Sequence, residues 1–294
     1  MLRPFFSIVV PTFNRENQIL RTINGVIRQR FSSWELIIVD DGSTDNTLDV
    51  VRSFSTNDNR VRVISRPPNR PKGANACRNI GIENAKADYI AFLDSDDFWQ
   101  PAWLDHVYKF ANNRRVDGIY SNGVIDDGHT KRGVSSRQIQ SEESVLDFLM
   151  SSDVFTQTST FVVKTECAIE VKFDENLQRH QDLDFFIRFH QKYSWIYLDL
   201  SDVETFWEKG RKRRLHYPSM IIYYDRYKHL ITSDENLFRY LWGCFTNAED
   251  ERSSYTAFYI DELKKVAGKL GGLQYVKARF AIPYYKIWKM FRGE

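Results

Sequence analysis

At 294 residues, with 42% hydrophobic and 27% charged side chains, the chain has the balance of a water-facing globular protein that can bury a full-sized core, either as one large α/β domain or as a domain with an appendage. Its 41 basic and 39 acidic residues leave a net +2, which excludes the broad positive field that gathers nucleic acid, so no nucleic-acid partner is expected. Three widely spaced cysteines, Cys77, Cys167 and Cys244, argue against a disulfide framework or a zinc site and for a reducing compartment, and no apolar run approaches the ~20 residues of a spanning helix.

The apolar run 6–10 ends at Pro11 and is too short for a signal-peptide core, so it reads as a buried strand. From residue 16 onward Ile19, Leu20, Ile23, Val26 and Ile27 recur at helical spacing. Residues 34–39 form a second apolar strand ending in Asp40 and Asp41; Ser43 or Thr44 is the expected N-cap of a helix carrying Leu48, Val51 and Phe54 on one face. A strand at 60–65, a helix at 73–85 and a strand at 89–93 follow, the last running into Asp94. Strands alternating with helices predict right-handed crossovers and a mostly parallel sheet covered on both faces. Ligands of such sheets sit outside the carboxyl ends of the strands, where the second and fourth strands deliver aspartates.

Beyond residue 101 the pattern loosens. A helix to 112, a strand at 118–121, a polar loop over 126–140, a helix at 145–150, a strand at 160–164, a helix at 183–191 and a strand at 195–198 complete a mixed sheet. A basic loop spans 207–216, and 221–291 is aromatic-rich and mainly helical by periodicity. There are no internal repeats.

Two acidic clusters carry chemistry. Asp40-Asp41-Gly42-Ser43-Thr44-Asp45 sits at a strand end, but an ordinary strand-to-helix turn uses the same residues, and phospho-acceptor receiver domains also pair aspartates there. Asp94-Ser-Asp96-Asp97 is sharper, because three carboxylates within four residues repel one another unless a cation or protons intervene. Asp94 and Asp96 can both reach one Mg²⁺ or Mn²⁺, a hard cation that leaves positions for phosphate oxygens; a solvated acidic turn is the simpler alternative.

Taken in order, Val9-Val-Pro-Thr-Phe-Asn14, Ile37-Ile-Val-Asp-Asp-Gly-Ser-Thr-Asp45, Ala76-Cys-Arg-Asn-Ile-Gly81 and Phe92-Leu-Asp-Ser-Asp-Asp97 resemble family 2 glycosyltransferases of the GT-A fold. The match is close over roughly the first hundred residues and continues more loosely to about Ser219. The resemblance implies an α/β GT-A (Rossmann-like) domain over 1–220, with a nucleotide-binding half at 1–100 and an acceptor-binding half at 101–220, followed by a helical region at 221–294. It implies a metal-dependent, inverting transfer of a sugar from a nucleotide diphosphate, UDP being the family's commonest, to an acceptor hydroxyl in polysaccharide or glycan synthesis.

Residue by residue, the resemblance puts Pro11, Thr12, Asn14 and Arg15 against the nucleotide base and makes Asp41 its hydrogen-bond acceptor. Arg78 is a cation near the nucleotide, Asp94 and Ser95 complete that set, and Asp96 with Asp94 would hold Mn²⁺ or Mg²⁺. The family's general base comes from a Glu-Asp pair opening a later helix; here His180-Gln-Asp-Leu-Asp184 occupies that place, which makes Asp182 the first choice and leaves Asp184 open. Gln181 departs from the usual Glu. In Lys209-Gly-Arg-Lys-Arg-Arg-Leu-His216, Arg214 and His216 are the expected diphosphate-binding residues.

The implied partners are a nucleotide-diphosphate sugar and a glycan or lipid-linked acceptor. The stretch 275–291 mixes aromatics with cations and no acid, which suits either an interfacial helix on an anionic membrane or a helix packing its aromatics on the core. The expected location is cytoplasmic, the inner face of the cytoplasmic membrane included. Competing readings are a nucleotide-sugar-binding module without turnover, a phospho-receiver-like signalling domain, and a nucleotidyltransferase, which would open with a glycine-rich loop where this chain has Pro-Thr-Phe-Asn-Arg.

Overall fold

The computed structural model describes residues 3–112, 114–207 and 215–292, the side chains at 286, 287 and 290–292 excepted. The chain divides into two compact units, Met1–Gln140 with Asp153–Tyr223, and Ser141–Ser152 with Tyr224–Glu294. The expected first domain ran unbroken to residue 220, whereas residues 141–152 belong with the second unit.

In the first unit, β1 (Phe6–Thr12), α1 (Ile19–Ile27), β2 (Trp34–Asp40), α2 (Thr47–Asn57), β3 (Val61–Ser65), α3 (Ala74–Asn84) and β4 (Tyr89–Phe92) follow the expected alternation. After these come β5 (Phe98–Trp99), α4 (Trp103–Ala111), β6 (Gly118–Ser121), β7 (Gly123–Asp126) and β8 (Lys131–Val134). Helix α5 (Val145–Met150) lies in the second unit, and β9 (Val162–Lys164), α6 (Thr165–Val171), α7 (Gln181–His190), β10 (Trp195–Leu198) and β11 (Val203–Phe206) return to the first.

The main sheet has the order β10-β6-β9-β4-β1-β2-β3. Its pairings are parallel except at β9, which runs antiparallel to both β4 and β6. Every residue of β1 and β2 is buried, and alternate side chains serve opposite faces. Leu36 and Ile38 join Ile19, Ile23 and Val26 of α1 and Leu104 and Val107 of α4 in one cluster; Ile37 and Val39 meet Cys77 and Ile80 of α3 in another. Each such apolar side chain contributes ~1.5–3 kcal/mol on full burial, which is why both faces need a helical cover. Helix α3 lies so close to β1 that a Cβ on Gly81 would fall 2.2 Å from Val9 Cγ1.

Two expectations are corrected. Neither Ser43 nor Thr44 caps α2, which begins after Asn46; Ser43 instead donates to Asp40 and accepts from the amide of Asn14. The polar stretch 126–140 is not loop throughout, since Gly123–Asp126 and Lys131–Val134 form an antiparallel hairpin in a four-stranded sheet ordered β5-β11-β7-β8. The turn chemistry hides it: Asp127 folds over the amides of His129 and Thr130, and short polar strands carry little apolar signal.

The second unit is helical, as expected for the C-terminal region, with α8 (Tyr217–Tyr227) reaching into it and α9 (Asp234–Asp250), α10 (Thr256–Leu270), α11 (Gly272–Arg279) and α12 (Ala281–Arg292) completing it. The Asp147 carboxylate of α5 accepts from the amides of Thr232 and Ser233 at 2.8 and 3.1 Å, fixing the start of α9. Phe238, Leu241, Cys244 and Phe245 of α9, and Tyr259, Leu263 and Val266 of α10, are among the buried residues of this unit.

Candidate active site

Because β4, β1 and β2 are parallel neighbours, their carboxyl ends bring three loops side by side. All eight residues expected at the nucleotide (Pro11, Thr12, Asn14, Arg15, Asp41, Arg78, Asp94 and Ser95), together with Asp96, line one cavity of about 530 Å³ there. The first two loops are stitched by reciprocal bonds: Asn14, at φ 50°, accepts from the Thr44 amide at 2.8 Å, and the Arg15 amide donates to Thr47 Oγ1 at 2.7 Å. Thr12 Oγ1 is buried in this cavity wall without a protein partner among the described residues, an acceptor and donor left for something that enters.

The two aspartates closing β2 have different jobs. Asp40 accepts from the amides of Gly42 and Ser43, both at 3.0 Å, and holds the turn; Asp41 lines the cavity and is ion-paired with Arg66. Cys77, on the same wall, has its thiol pushed up to about 12 by burial, with the Asp41 charge adding to this, so it stays protonated.

In the Asp94–Asp97 turn the three carboxylates also part company. Asp97 is 2% exposed and accepts from the Phe206 amide at 2.9 Å and from Ser159 Oγ at 2.5 Å. Burial, then the charges of Asp94 and Asp96, raise its pKa well above the usual carboxylate range. It is therefore a structural group facing inward. Asp94 and Asp96 keep 24% and 21% of their side chains exposed and open to the cavity, paired with Arg78 at 2.6 Å and with Arg15 at 3.5 Å. No group of three or more His, Cys, Asp or Glu able to hold a metal occurs among the described residues. Two cavity-facing carboxylates nonetheless fit Mg²⁺ or Mn²⁺, which takes one or two protein carboxylates and fills its shell with water and phosphate oxygens.

Strand β9 supplies what its antiparallel direction dictates: its amino end, with Gln157 and Thr158, arrives at the same sheet edge as the carboxyl ends of its neighbours. These two residues, Arg179, Trp207 and the start of α7 line a second cavity of about 290 Å³, whose wall includes Arg78 and Asp94 of the first. Asp182 lines this second cavity. Desolvation raises its carboxyl above the ordinary range, against smaller opposing contributions from a hydrogen bond with the Leu183 amide and the charges of Arg78 and Arg179. Asp184 does not line it: fully buried, it pairs with Arg188 at 2.7 Å, and Arg188 also holds the carbonyls of Val171 and Lys172. Gln181 accepts from Arg78 Nη1 at 3.1 Å and donates to the Leu177 carbonyl at 3.0 Å.

His216 lines neither cavity. The Ser219 amide approaches its Nδ1 at 3.3 Å and Ser219 Oγ lies at 2.7 Å, while that hydroxyl accepts from the Gln178 amide at 2.9 Å. An N–H can only donate, so Nδ1 accepts from the Ser219 amide. Arg214 lies outside the described residues. Gln157, Thr158, Arg179 and Trp207 were not anticipated. The basic stretch around 207–216 was the one signal near Trp207, and no periodicity marks the other three.

Residues 7–177 match the family described as Glycosyl transferase family 2. The chain is 34% identical over 191 residues to the amylovoran biosynthesis glycosyltransferase AmsB of Erwinia amylovora, covering 62% of this chain and 63% of that protein. It is 35% identical over 130 residues to WfaP of Escherichia coli, described as a UDP-Glc:alpha-D-GlcNAc-diphosphoundecaprenol beta-1,3-glucosyltransferase, covering 44% of this chain and 50% of WfaP. The chain thus spans less than two thirds of the length of either relative. Among solved structures, S. aureus TarS 1-349 in complex with UDP-GlcNAc superposes with a TM-score of 0.59 at 19% identity, covering 94% of this chain and 73% of that one. That likeness concerns the fold, a mixed, mostly parallel sheet flanked by helices.

Proposed function

The chain belongs to glycosyl transferase family 2, with the GT-A fold, and from that membership we propose that it transfers a sugar from a nucleotide diphosphate, UDP being the first candidate, to an acceptor hydroxyl with inversion at the anomeric carbon. The observation that carries this reading is the meeting of two cavities at Arg78 and Asp94, one lined by the residues expected at the nucleotide and the other by Asp182. The donor's base and ribose occupy the first cavity, held by Asp41, Asn14 and Thr12. The diphosphate lies toward Asp94 and Asp96, and the sugar points toward the second cavity, where the acceptor enters.

Asp182 takes the proton of the acceptor hydroxyl as its oxygen attacks the anomeric carbon from the face opposite the diphosphate. One C–O bond forms, the bond to the diphosphate oxygen breaks, and the nucleotide diphosphate leaves with the electron pair. Its desolvated position supports this role, since a carboxylate with a raised pKa is a stronger base. Arg78 keeps Gln181, and with it the start of α7, in register with Asp94. Asp94 and Asp96 would hold Mn²⁺ or Mg²⁺, which when bound offsets the charge of the leaving diphosphate. His216 and Arg214 are assigned to that diphosphate from the motif match alone.

The names of AmsB and WfaP support a place in polysaccharide synthesis and a glycan or lipid-linked acceptor, and three free, buried cysteines suit a reducing, cytoplasmic setting at the inner membrane face. Thermal-shift measurements with a panel of nucleotide diphosphates, with and without Mn²⁺, test the donor site. One nucleotide is expected to stabilise the protein in a metal-dependent way that Asp96→Ala abolishes, at 100 times its Kd by about 2.7 kcal/mol. No stabilisation by any nucleotide in the folded protein overturns the proposal. Retained anomeric configuration in the product, read by NMR, overturns the inversion.

A further inference from the structure

Helix α11 carries an apolar stripe that faces water. Leu273 and Val276 of the helix and Phe280, the residue at its C-terminal cap, follow at spacings of three and four, which lines them up along one side, and they keep 57%, 44% and 53% of their surface exposed. Tyr275, on another side of the same helix, is 43% exposed. A run of large apolar side chains open to solvent marks an interaction face. Helix α12 behaves differently. Its Ala281 and Tyr285 are buried, the Tyr285 hydroxyl donates to Asp250 at 2.9 Å, and the Tyr284 ring stands edge-on to Trp242 at 5.9 Å. The aromatic stretch at 275–291 therefore divides: α12 packs against α9, and α11 leaves its stripe outside.

Charge selects the occupant. Residues 272–292 include Lys277, Arg279, Lys286, Lys289 and Arg292 and not one Asp or Glu. Lys289 is paired with Asp250 at 3.0 Å. Lys277 and Arg279 flank the stripe and have no carboxylate partner among the described residues; the Arg279 guanidinium donates to the Tyr275 hydroxyl at 2.9 Å. The acids of neighbouring α10 are already engaged, Asp261 by Lys264 and Glu262 by Lys265 and Tyr224.

We infer that α11 with Phe280 is a docking face for an anionic lipid bilayer. The stripe enters the boundary between headgroups and acyl chains, and Lys277 and Arg279 meet lipid phosphates. No described helix is long and apolar enough to cross a membrane, so this contact lies on the surface of the bilayer. Its purpose rests on the proposed transfer to a lipid-linked acceptor, but docking requires no turnover and is measured without it.

The test is flotation of the full chain with vesicles of phosphatidylethanolamine and phosphatidylglycerol, against vesicles of phosphatidylcholine alone. The protein is expected to float with the anionic vesicles and not with the neutral ones. The double substitution Val276→Glu with Phe280→Glu should lower the bound fraction about tenfold or more, and Lys277→Glu with Arg279→Glu should act in the same direction and remove the salt dependence. Ile169→Glu, at an apolar residue 51% exposed in the first unit, should change nothing. Absence of flotation by the unaltered protein, or equal flotation by the Val276/Phe280 variant, overturns the inference. So does a concentration-dependent dimer in sedimentation that this variant abolishes without any lipid binding, which would assign the stripe to a second copy of the chain. Nucleotide-dependent thermal shifts measured on the same variants separate this result from the fate of the donor-site proposal.

Discussion

Arg78, 5% exposed on α3, donates from Nη2 to Asp94 Oδ1 at 2.6 Å, and this pair forms the wall shared by the cavity of Thr12 and Asp41 and the cavity of Asp182. The same guanidinium reaches Gln181 through Nη1. A lysine keeps the charge but cannot hold both partners in one plane. Arg78→Lys is expected to lower kcat/KM about tenfold or more, the equivalent of one charge-assisted hydrogen bond. Combining it with Asp94→Asn should cost less than the sum of the two, because both remove one contact. Additive losses in steady-state kinetics would contradict the bridge.

Asp182→Asn should lower kcat by about 10²–10⁴, the range of a lost general base, with thermal-shift binding of the nucleotide unchanged. Its raised pKa sets the sign of a second effect. Between the ordinary Asp value and the raised one, the folded chain keeps a proton that the unfolded chain has released. Stability therefore falls as pH rises through that window, and the Asn variant escapes the loss. The variant should melt above the unaltered protein at pH 8 and nearer to it at pH 4. In the pH profile of kcat/KM, the acidic limb should lie above the ordinary carboxylate range.

Asp184, two residues on, should respond in the opposite manner. Removing the buried carboxylate charge leaves Arg188, 25% exposed, without its ion pair, at a cost of about 1–3 kcal/mol. Asp184→Asn is expected to lower the melting temperature strongly while the surviving folded fraction keeps its turnover. A kcat loss without a stability loss would exchange the roles of the two aspartates.

His180 gives the fold an acid limit. Desolvation, with a smaller contribution from Arg179, lowers its pKa from 6.5 to about 3, so the folded protein holds the ring neutral while the unfolded chain takes up a proton. Stability should therefore decline as pH falls from about 6.5 toward 3, at up to about 1.4 kcal/mol per pH unit from this group. The residue sits at φ 58°, a conformation asparagine tolerates, so His180→Asn should fold. It should also flatten the acid side of a plot of melting temperature against pH. An unchanged slope would show that other groups set the limit.

Much of the first unit was legible because its strands are continuous apolar runs and its helices amphipathic, so β1, β2 and β4 and the loops that follow them fall where periodicity and turn residues put them. Asp94 was readable as a carboxylate needing a counter-charge, but Arg78 as the group supplying it required the distance from α3. The choice between Asp182 and Asp184 was closed to the sequence, because both sit in the first turn of one helix and only packing shows which faces the core. Gln157 and Thr158 lay hidden for a different reason. They join the site through the direction of β9, and a three-residue strand says nothing in its own side chains about parallel or antiparallel pairing.

That reversed strand also decides which fragments of this protein can exist. In a chain ending before residue 162, β4 would be the last strand in the half-sheet β4-β1-β2-β3, and one of its sides would lack the partner that β9 provides. All four residues of β4 are buried in the complete fold, so the truncated edge would be apolar and open to pairing with another chain. The first hundred residues are thus not a module that evolution or an experimenter can lift out at residue 100. Their edge is finished by a strand encoded some sixty residues later, and an exchange of the later segments between relatives must supply a strand at that place.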